Sequence, residues 1–472
     1  MPLVMLKLTN HNSHQTIPRA AGLPIIGQSL KAVRDPLNVL KELSVNYGSV
    51  VKIRLGLKDY YVLQSPEGAR HVLQTNARNY CKPGAAKLMK RVLGNGLATA
   101  NGEQWLRNRK LMQPAFHKQY LPRFHQILDA EISSLVETWR QNKRGEAIDV
   151  GAAFFRLTLN NLTKAMFGIG MEKEMSEIEE VLNIMLQFSS RNTKSLIKIP
   201  LYLPTANNQR FLAAEQRFEK VIHTIIQRRT AERKDPPSAH RNDLLDLLID
   251  ANEADSHPGF DTKQLRDEIT TIFMAGHETT SQTLSWAFYQ LALQPILHQK
   301  IKEESKIIAE DNLFYPSSPS IYTSALILET MRFYPPVWII ARKVIATDNI
   351  EGYAIPAGST LLINVFGLHH HSRYWQSSDQ FDPERFCNVK KEDQSLWHYL
   401  PFGGGQRVCI GRHFAMMVME TVILRLVQQF SFAVPAGFSP KMDANLVLRS
   451  SESIQLIVQS NNDDANSHYT AS

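Results

Sequence analysis

The sequence predicts a mainly α-helical fold with a small β region, and three observations predict it. Apolar residues recur at three- and four-residue spacings through 120–235, 261–292 and 411–430, the repeat of helices that bury one face. Strand-like runs are few and short: Val50 to Leu55, Tyr60 to Leu63, Val337 to Ile340, Phe432 to Val434 and Ile454 to Val458. No Gly/Ser linker, internal repeat or low-complexity tract divides the 472 residues. The chain therefore reads as a flexible tail over 1–17, one continuous body over 18–459 and a polar, disordered tail over 460–472.

The first two strands form a hairpin across Gly56-Leu57-Lys58-Asp59, whose residues supply turn chemistry. Ser65-Pro66 opens a helix, with serine as cap and proline in the first turn. Residues 78 to 101 are irregular and glycine-punctuated. In the helix from Asn101 to Gln113, Trp105 and Arg109 stand four apart and share one face. The segment Lys194 to Arg210, with its prolines and asparagines, interrupts two helices; it is either a lid over an entrance or an idle connection. Asp261, with Gln264 three places later, comes close to a capping box. From there one helix of about thirty residues runs to about Ala292 and crosses the molecule. Its middle, Ala275-Gly276-His277-Glu278-Thr279-Thr280, sets small residues, an acid and hydroxyls in an apolar frame. A bend caused by threonines bonding back to carbonyls accounts for the hydroxyls and leaves Glu278 unexplained. Glu329 and Arg332 share a helix ended by Tyr334-Pro335-Pro336. Val337 to Ile340 is an apolar strand, Arg342 follows it, and Ile355-Pro356-Ala357-Gly358 is a turn. His369-His370-His371 lacks further partners at metal-ligand spacing and reads as ordinary loop histidines.

Composition narrows the function. The net charge of +8 contains no compact Lys/Arg block, which argues against nucleic-acid binding. Cys81, Cys387 and Cys409 are the only cysteines, so neither a disulfide framework nor a zinc site is built, and a reducing, cytoplasmic location fits. Met1 to Leu8 is apolar but interrupted by Lys7. It falls short of the roughly 20 residues that span a bilayer and lacks the parts of a signal peptide. No membrane span is expected.

The chain is organised around Phe402-Gly403-Gly404-Gly405-Gln406-Arg407-Val408-Cys409-Ile410-Gly411. The glycines permit close approaches that a side chain would forbid. Phe402 shields one side of the sulfur, Arg407 places a fixed charge two residues before it, and the amides after Cys409 open a helix from Gly411 to Phe430, favouring a thiolate. A thiolate with one-sided access suits a haem iron as its proximal ligand. Phe, Gly, Arg, Cys and Gly at these offsets match the signature of haem-thiolate monooxygenases. From about Gly22 to Val458 the chain resembles a cytochrome P450.

The resemblance implies the cytochrome P450 fold, and haem b (iron protoporphyrin IX) with Cys409 as the axial metal ligand. It implies a cofactor-binding set of Trp105, Arg109, Ala275, Gly276, Arg342, Phe402, Gly403, Arg407, Cys409 and Gly411. Trp105 and Arg109 would bind a propionate. Arg342 would be a second propionate contact or a plain surface arginine. Ala275 and Gly276 would leave room for dioxygen. Glu278 and Thr279 would be catalytic, guiding protons inward. Consecutive helical positions do not face each other, so that pair needs movement or a water. His277 reads as a packing or surface residue and not as a ligand. Glu329, Arg332 and Arg385, the last in Pro383-Glu384-Arg385-Phe386, would form a buried charge network that anchors the cofactor loop. Family members often carry Glu four residues after the Phe of a Phe-Ala pair; after Phe414-Ala415 this chain has Val418 there and Glu420 two further on.

The implied activity is monooxygenation of a sizeable apolar molecule: a fatty acid, terpenoid, steroid or carotenoid. Val337, Trp338, Ile339 and the loop near Leu88 to Leu97 would line its chamber. Electrons would come from a separate ferredoxin or flavodoxin with its NAD(P)H-dependent reductase, docking where Arg107, Lys110 and Arg412 lie. The rival readings are a haem-thiolate peroxygenase or isomerase, and a haem-binding sensor without turnover.

Overall fold

The computed structural model describes residues 15–83, 87–143, 145–168, 175–194, 199–233, 243–253, 260–310, 321–387 and 396–461. The expectations for Met1 to Leu8 and for 462–472 lie outside them. The longer helices are α1 (Pro36–Asn46), α2 (Lys87–Leu93), α3 (Gly102–Met112), α4 (Leu121–Arg140), α5 (Val150–Phe167), α6 (Met175–Lys194) and α7 (Ala206–Glu232). There follow α8 (Leu244–Glu253), α9 (Thr262–Gly276), α10 (Glu278–Leu293), α11 (Pro295–Glu310), α12 (Ile321–Phe333) and α13 (Arg412–Gln429).

Apolar spacing explains why these segments are helices. In α4 the buried residues are Leu121, Phe124, Leu128, Ile132, Val136 and Trp139, a single stripe at intervals of three and four. Each such side chain contributes roughly 1.5–3 kcal/mol on burial. Caps set the ends. Ser65 accepts from the Gly68 N–H at 3.1 Å, Asp261 from that of Gln264 at 2.8 Å, and α5 stops at Gly168 in the left-handed region, as a glycine C-cap does. The capping box at Asp261 is only half made: the Gln264 amide donates to Asn95 O and to Glu268 instead.

A five-stranded sheet runs in the order β1 (Val50–Leu55), β2 (Lys58–Leu63), β8 (Thr360–Ile363), β5 (Ile340–Val344) and β3 (Tyr80–Cys81). A second sheet joins β4 (Ala147–Asp149), β12 (Gln455–Ser460) and β9 (Phe430–Ala433). Two short hairpins pair β6 (Asp348–Ile350) with β7 (Tyr353–Ile355) and β10 (Met442–Ala444) with β11 (Leu448–Ser450). One large apolar cluster fills the space between helices, and a smaller one, including Val50, Leu63, Val344 and Ile363, lies against the main sheet.

Six expectations need correction. The thirty-residue helix is two, α9 and α10, parted at His277, whose φ and ψ are −98° and −45°. At the break, Thr279 and Thr280 donate to the Ala275 and Gly276 carbonyls at 3.1 and 3.2 Å, the back-bonding that the bend reading requires. The first hairpin turns in two residues, Gly56-Leu57, since Leu55 pairs with Lys58. The region 78–101 contains α2, and the connection before α7 ends by Thr205, which caps that helix. The strand at 337–340 begins only at Ile340, because the Trp338 indole is drawn to Asn445 O at 2.8 Å. His369 and His370 close the helix Val365–His370 and do not sit in a loop.

Candidate active site

The Phe402–Gly411 loop is folded on itself before it meets anything else. The Cys409 N–H donates to Phe402 O at 3.0 Å and the Val408 N–H to Gly405 O at 3.2 Å. Gly403 and Gly405 hold φ of +71° and +65°, where a side chain is strained. At Gly405 a Cβ would also press on the Leu73 carbonyl, whose carbon would stand 2.6 Å away. At Gly404 it would meet the Trp397 ring at 2.6 Å. His369 fixes the start of the loop: its Nε2 accepts the Leu400 N–H at 2.8 Å.

Cys409 is exposed as a residue, yet burial pushes its thiol up from the ordinary range. Together these place the sulfur against an enclosed space and not the outer surface. The Gly411 N–H, Arg109 and Arg412 act the other way. The expected preference for thiolate is thus real but outweighed by desolvation in the free thiol; a metal ion removes that proton outright. Arg109 lies at this loop, donating to Val408 O at 2.8 Å.

A second group sits beside it. Arg407 stacks on Trp105, 4.3 Å from the ring centroid, and donates to Ala100 O at 3.0 Å and Asn101 Oδ1 at 3.3 Å. Asn101 also takes the Lys82 N–H at 2.8 Å. Burial, then the nearby charges of Arg342 and Arg407, push the Lys82 ammonium down to about 7. Arg342 and Arg407 are both pushed down to about 10, by burial first. Among the described residues no carboxylate acts on any of the three, and Arg407 Nη1 is buried without a hydrogen-bond partner there. Three crowded cations without an acid are costly unless a dianion completes them. A flat macrocycle with two carboxylates and a metal that takes sulfur fits this donor set. Lys82 and Asn101 were missed in the sequence because single polar residues in an irregular stretch carry no pattern.

The α9–α10 junction supplies the other candidates. Ala275 is exposed although Phe273 and His277 are fully buried, and Thr279 is on its face, four residues on. Gly276 points elsewhere: a Cβ there would meet Leu162 of α5 at 2.9 Å. Close packing against α5 is therefore one reason for that glycine. Burial pushes the Glu278 carboxyl up to about 7, opposed only by Arg449 on β11. His277 is buried against Phe155, with ring centroids 4.7 Å apart, and is pushed down to about 4 by burial. It packs, as expected.

The charge network is formed as expected. Arg332 grips Glu329 through two bonds of 2.7 Å. It also donates to the carbonyls of His369, Ser378 and Gln380 at 2.8–2.9 Å, and Arg385 reaches Glu329 at 3.2 Å. Where family members often carry Glu, Val418 is buried, and Glu420 takes the Ser324 hydroxyl at 2.7 Å. His370 Nδ1 meets Phe366 O at 2.9 Å and His371 Nε2 meets Ser44 O at 3.1 Å; no metal-ligand cluster occurs among the described residues. None of the described helices is long and apolar enough to cross a membrane.

Comparison with known proteins supports this chemistry. The family model described as Cytochrome P450 matches residues 18–458. Cyclooctatin synthase of Streptomyces melanosporofaciens is 31% identical over 86% of this chain and 87% of its own length. Pentalenene oxygenase of Streptomyces avermitilis is 28% identical over 87% and 90%. The chloroplastic protein LUTEIN DEFICIENT 5 of Arabidopsis thaliana is 28% identical over 94% and 76%.

Proposed function

This chain belongs to the cytochrome P450 family, and on that premise we propose that it oxygenates a terpenoid with electrons from a ferredoxin or flavodoxin and its NAD(P)H-dependent reductase. Its class is that of the monooxygenases. One atom of dioxygen enters an organic substrate and the other leaves as water, consuming two electrons and two protons. Haem, held by a cysteine thiolate, supplies the electron-rich iron that makes O–O cleavage possible.

The chain's residues do the rest. Cys409 would supply the thiolate that holds the haem, its sulfur oriented by the Gly411 N–H and the loop's internal bonds. Arg407, Arg342 and Lys82 would hold its two carboxylates, with Trp105 stacked on Arg407 and Arg109 tying helix α3 to the thiol loop. Burial pushes the Glu278 carboxyl up to about 7, which suits it to take up and pass on a proton. Thr279 carries a hydroxyl that donates to the Ala275 carbonyl, and a rotation frees it. The two point to different sides of the helix, and a water or a side-chain swing must link them. Lys110 and Arg412 are exposed and fit an acidic electron donor. The free thiols fit a reducing, cytoplasmic setting.

The observation that carries the reading is the exposed Cys409 together with a cluster of Lys82, Arg342 and Arg407 on which no carboxylate acts among the described residues. For the substrate class, the names of the two Streptomyces relatives carry it. The test supplies the haem-loaded protein with cyclic terpenes under isotopically labelled dioxygen, with reductase plus ferredoxin or flavodoxin. Labelled product that requires a partner is expected, and Glu278→Gln should cut its rate more than tenfold. Product formed from peroxide alone would favour a peroxygenase, and ligand-induced spectra without product a sensor.

A further inference from the structure

The first turns of α9 grip a loop. Gln264 Nε2 donates to Asn95 O at 3.1 Å and Arg266 Nη1 to Val92 O at 2.9 Å. Asp267 accepts the Asn95 N–H and Glu268 the Leu97 N–H, each at 2.8 Å. The approach is close enough to demand glycine: a Cβ at Gly94 would lie 2.0 Å from the Asp267 carboxylate, and one at Gly96 would lie 2.5 Å from the Asp267 carbonyl oxygen. Glu268 reaches further. Its other oxygen accepts Asn108 Nδ2 of α3 at 2.5 Å and Gln264 Nε2 at 2.8 Å, and Gln264 Oε1 in turn takes Gln104 Nε2 of α3 at 2.8 Å. Glu268 and Asn108 are both fully buried.

Both segments that Glu268 ties down lead to the thiol loop. Beyond Leu97, Ala98 O takes Lys82 Nζ, and Ala100 O and Asn101 Oδ1 take Arg407. On α3, Trp105 stacks on Arg407 and Arg109 donates to Val408 O, and Asn108 stands between these two in sequence. For packing alone a buried carboxyl is a poor choice, because an apolar residue of similar volume stabilises as well or better. An apolar residue could not collect N–H groups from the loop, α3 and α9 at one point. We propose that Glu268 is a positioning residue for the haem: it holds Arg407, Trp105 and Arg109 in place around the thiol loop, and so sets how firmly the cofactor's carboxylates are held and the potential at which the iron is reduced. This role rests on the haem-thiolate reading above.

The test measures haem transfer to a scavenging apoprotein and the reduction potential of the iron, in the haem-loaded parent, Glu268→Gln and Asn108→Ala. Glutamine fills the same space but turns an N–H toward donors, so bonds are lost without a cavity. Transfer should speed about tenfold in Glu268→Gln, the worth of one charge-assisted bond, and about threefold or more in Asn108→Ala. The potential should fall in both, because a guanidinium held less firmly near the cofactor favours the reduced iron less. Asp246→Asn, which weakens the buried contact between α8 and Arg229 of α7, is the control for general loosening; it should lower the melting temperature and leave the potential unmoved. Asn108→Ala cuts the α3 arm alone and decides the matter if Glu268→Gln does not fold. A parental transfer rate or a parental potential in the folded variants, or an equal fall in potential in Asp246→Asn, would overturn the proposal. A parent whose reduced, carbon monoxide-treated form lacks the red-shifted Soret band would instead overturn the haem-thiolate reading.

Discussion

Replacing Gly405 by alanine tests the cofactor loop most sharply, because a second glycine separates the two costs involved. Gly405 and Gly437 hold similar conformations, with φ of +65° and +76°. Around Gly437 nothing lies within 4 Å of a new Cβ, whereas at Gly405 the Leu73 carbonyl carbon would be 2.6 Å away. Leu73 is buried within the π-turn His71–Thr75, so its carbonyl has no easy retreat. Gly437→Ala should cost only the left-handed penalty, about 1–2 kcal/mol. Gly405→Ala should add an overpacking term of about 1–3 kcal/mol, for a total of about 2–5 kcal/mol. The assay is the temperature at which the Soret band is lost, at one heating rate because unfolding of a large haem protein is not two-state, with haem content per chain measured alongside. Gly405→Ala should lose haem and melt well below Gly437→Ala. Equal melting and full haem content in both variants would refute the claim that the loop's position depends on that contact.

Arg332→Lys should be severe, costing about 3–5 kcal/mol and most of the haem, since one ammonium replaces a fork that holds Glu329 and three carbonyls; folded yield and haem content check it. Burial pushes Glu268 up to about 7, against three hydrogen bonds from Leu97, Gln264 and Asn108. Between its ordinary value, 4.5, and about 7 the folded protein holds a proton that the unfolded chain has released, so stability falls as pH rises through that window. Glu278 contributes in the same sense, and Glu268→Gln should flatten the measured slope without abolishing it. Lys82→Met removes one of the three acid-free cations and should speed haem transfer to a scavenging apoprotein about tenfold, the worth of one charge-assisted bond.

The fold class was legible because the apolar stripes of α4, α9 and α13 repeat with helical period, and the site because the cysteine loop places its glycines, arginine and sulfur at fixed offsets. Glu329, Arg332 and Arg385 were readable for the same reason. What could not be read was decided by distant partners. Gly276 and Gly405 are both glycines in motifs, yet one makes way for Leu162 and the other for the Leu73 carbonyl, contacts that sequence does not place. Lys82 acts with Arg342 and Arg407 across hundreds of residues. Element bounds slipped where hydroxyls bond back to carbonyls, at Thr279 and Thr280, or where a distant carbonyl captures an indole, at Trp338.

The central claim is that Cys409 gives its sulfur to the haem iron. The direct measurement is the Soret band of the reduced, carbon monoxide-treated protein, compared with Cys409→Ser. A strongly red-shifted band in the parent, absent from a folded, haem-containing Cys409→Ser variant, is the predicted result. A folded, haem-loaded parent that never shows the shift, or a serine variant that keeps it, would contradict the account.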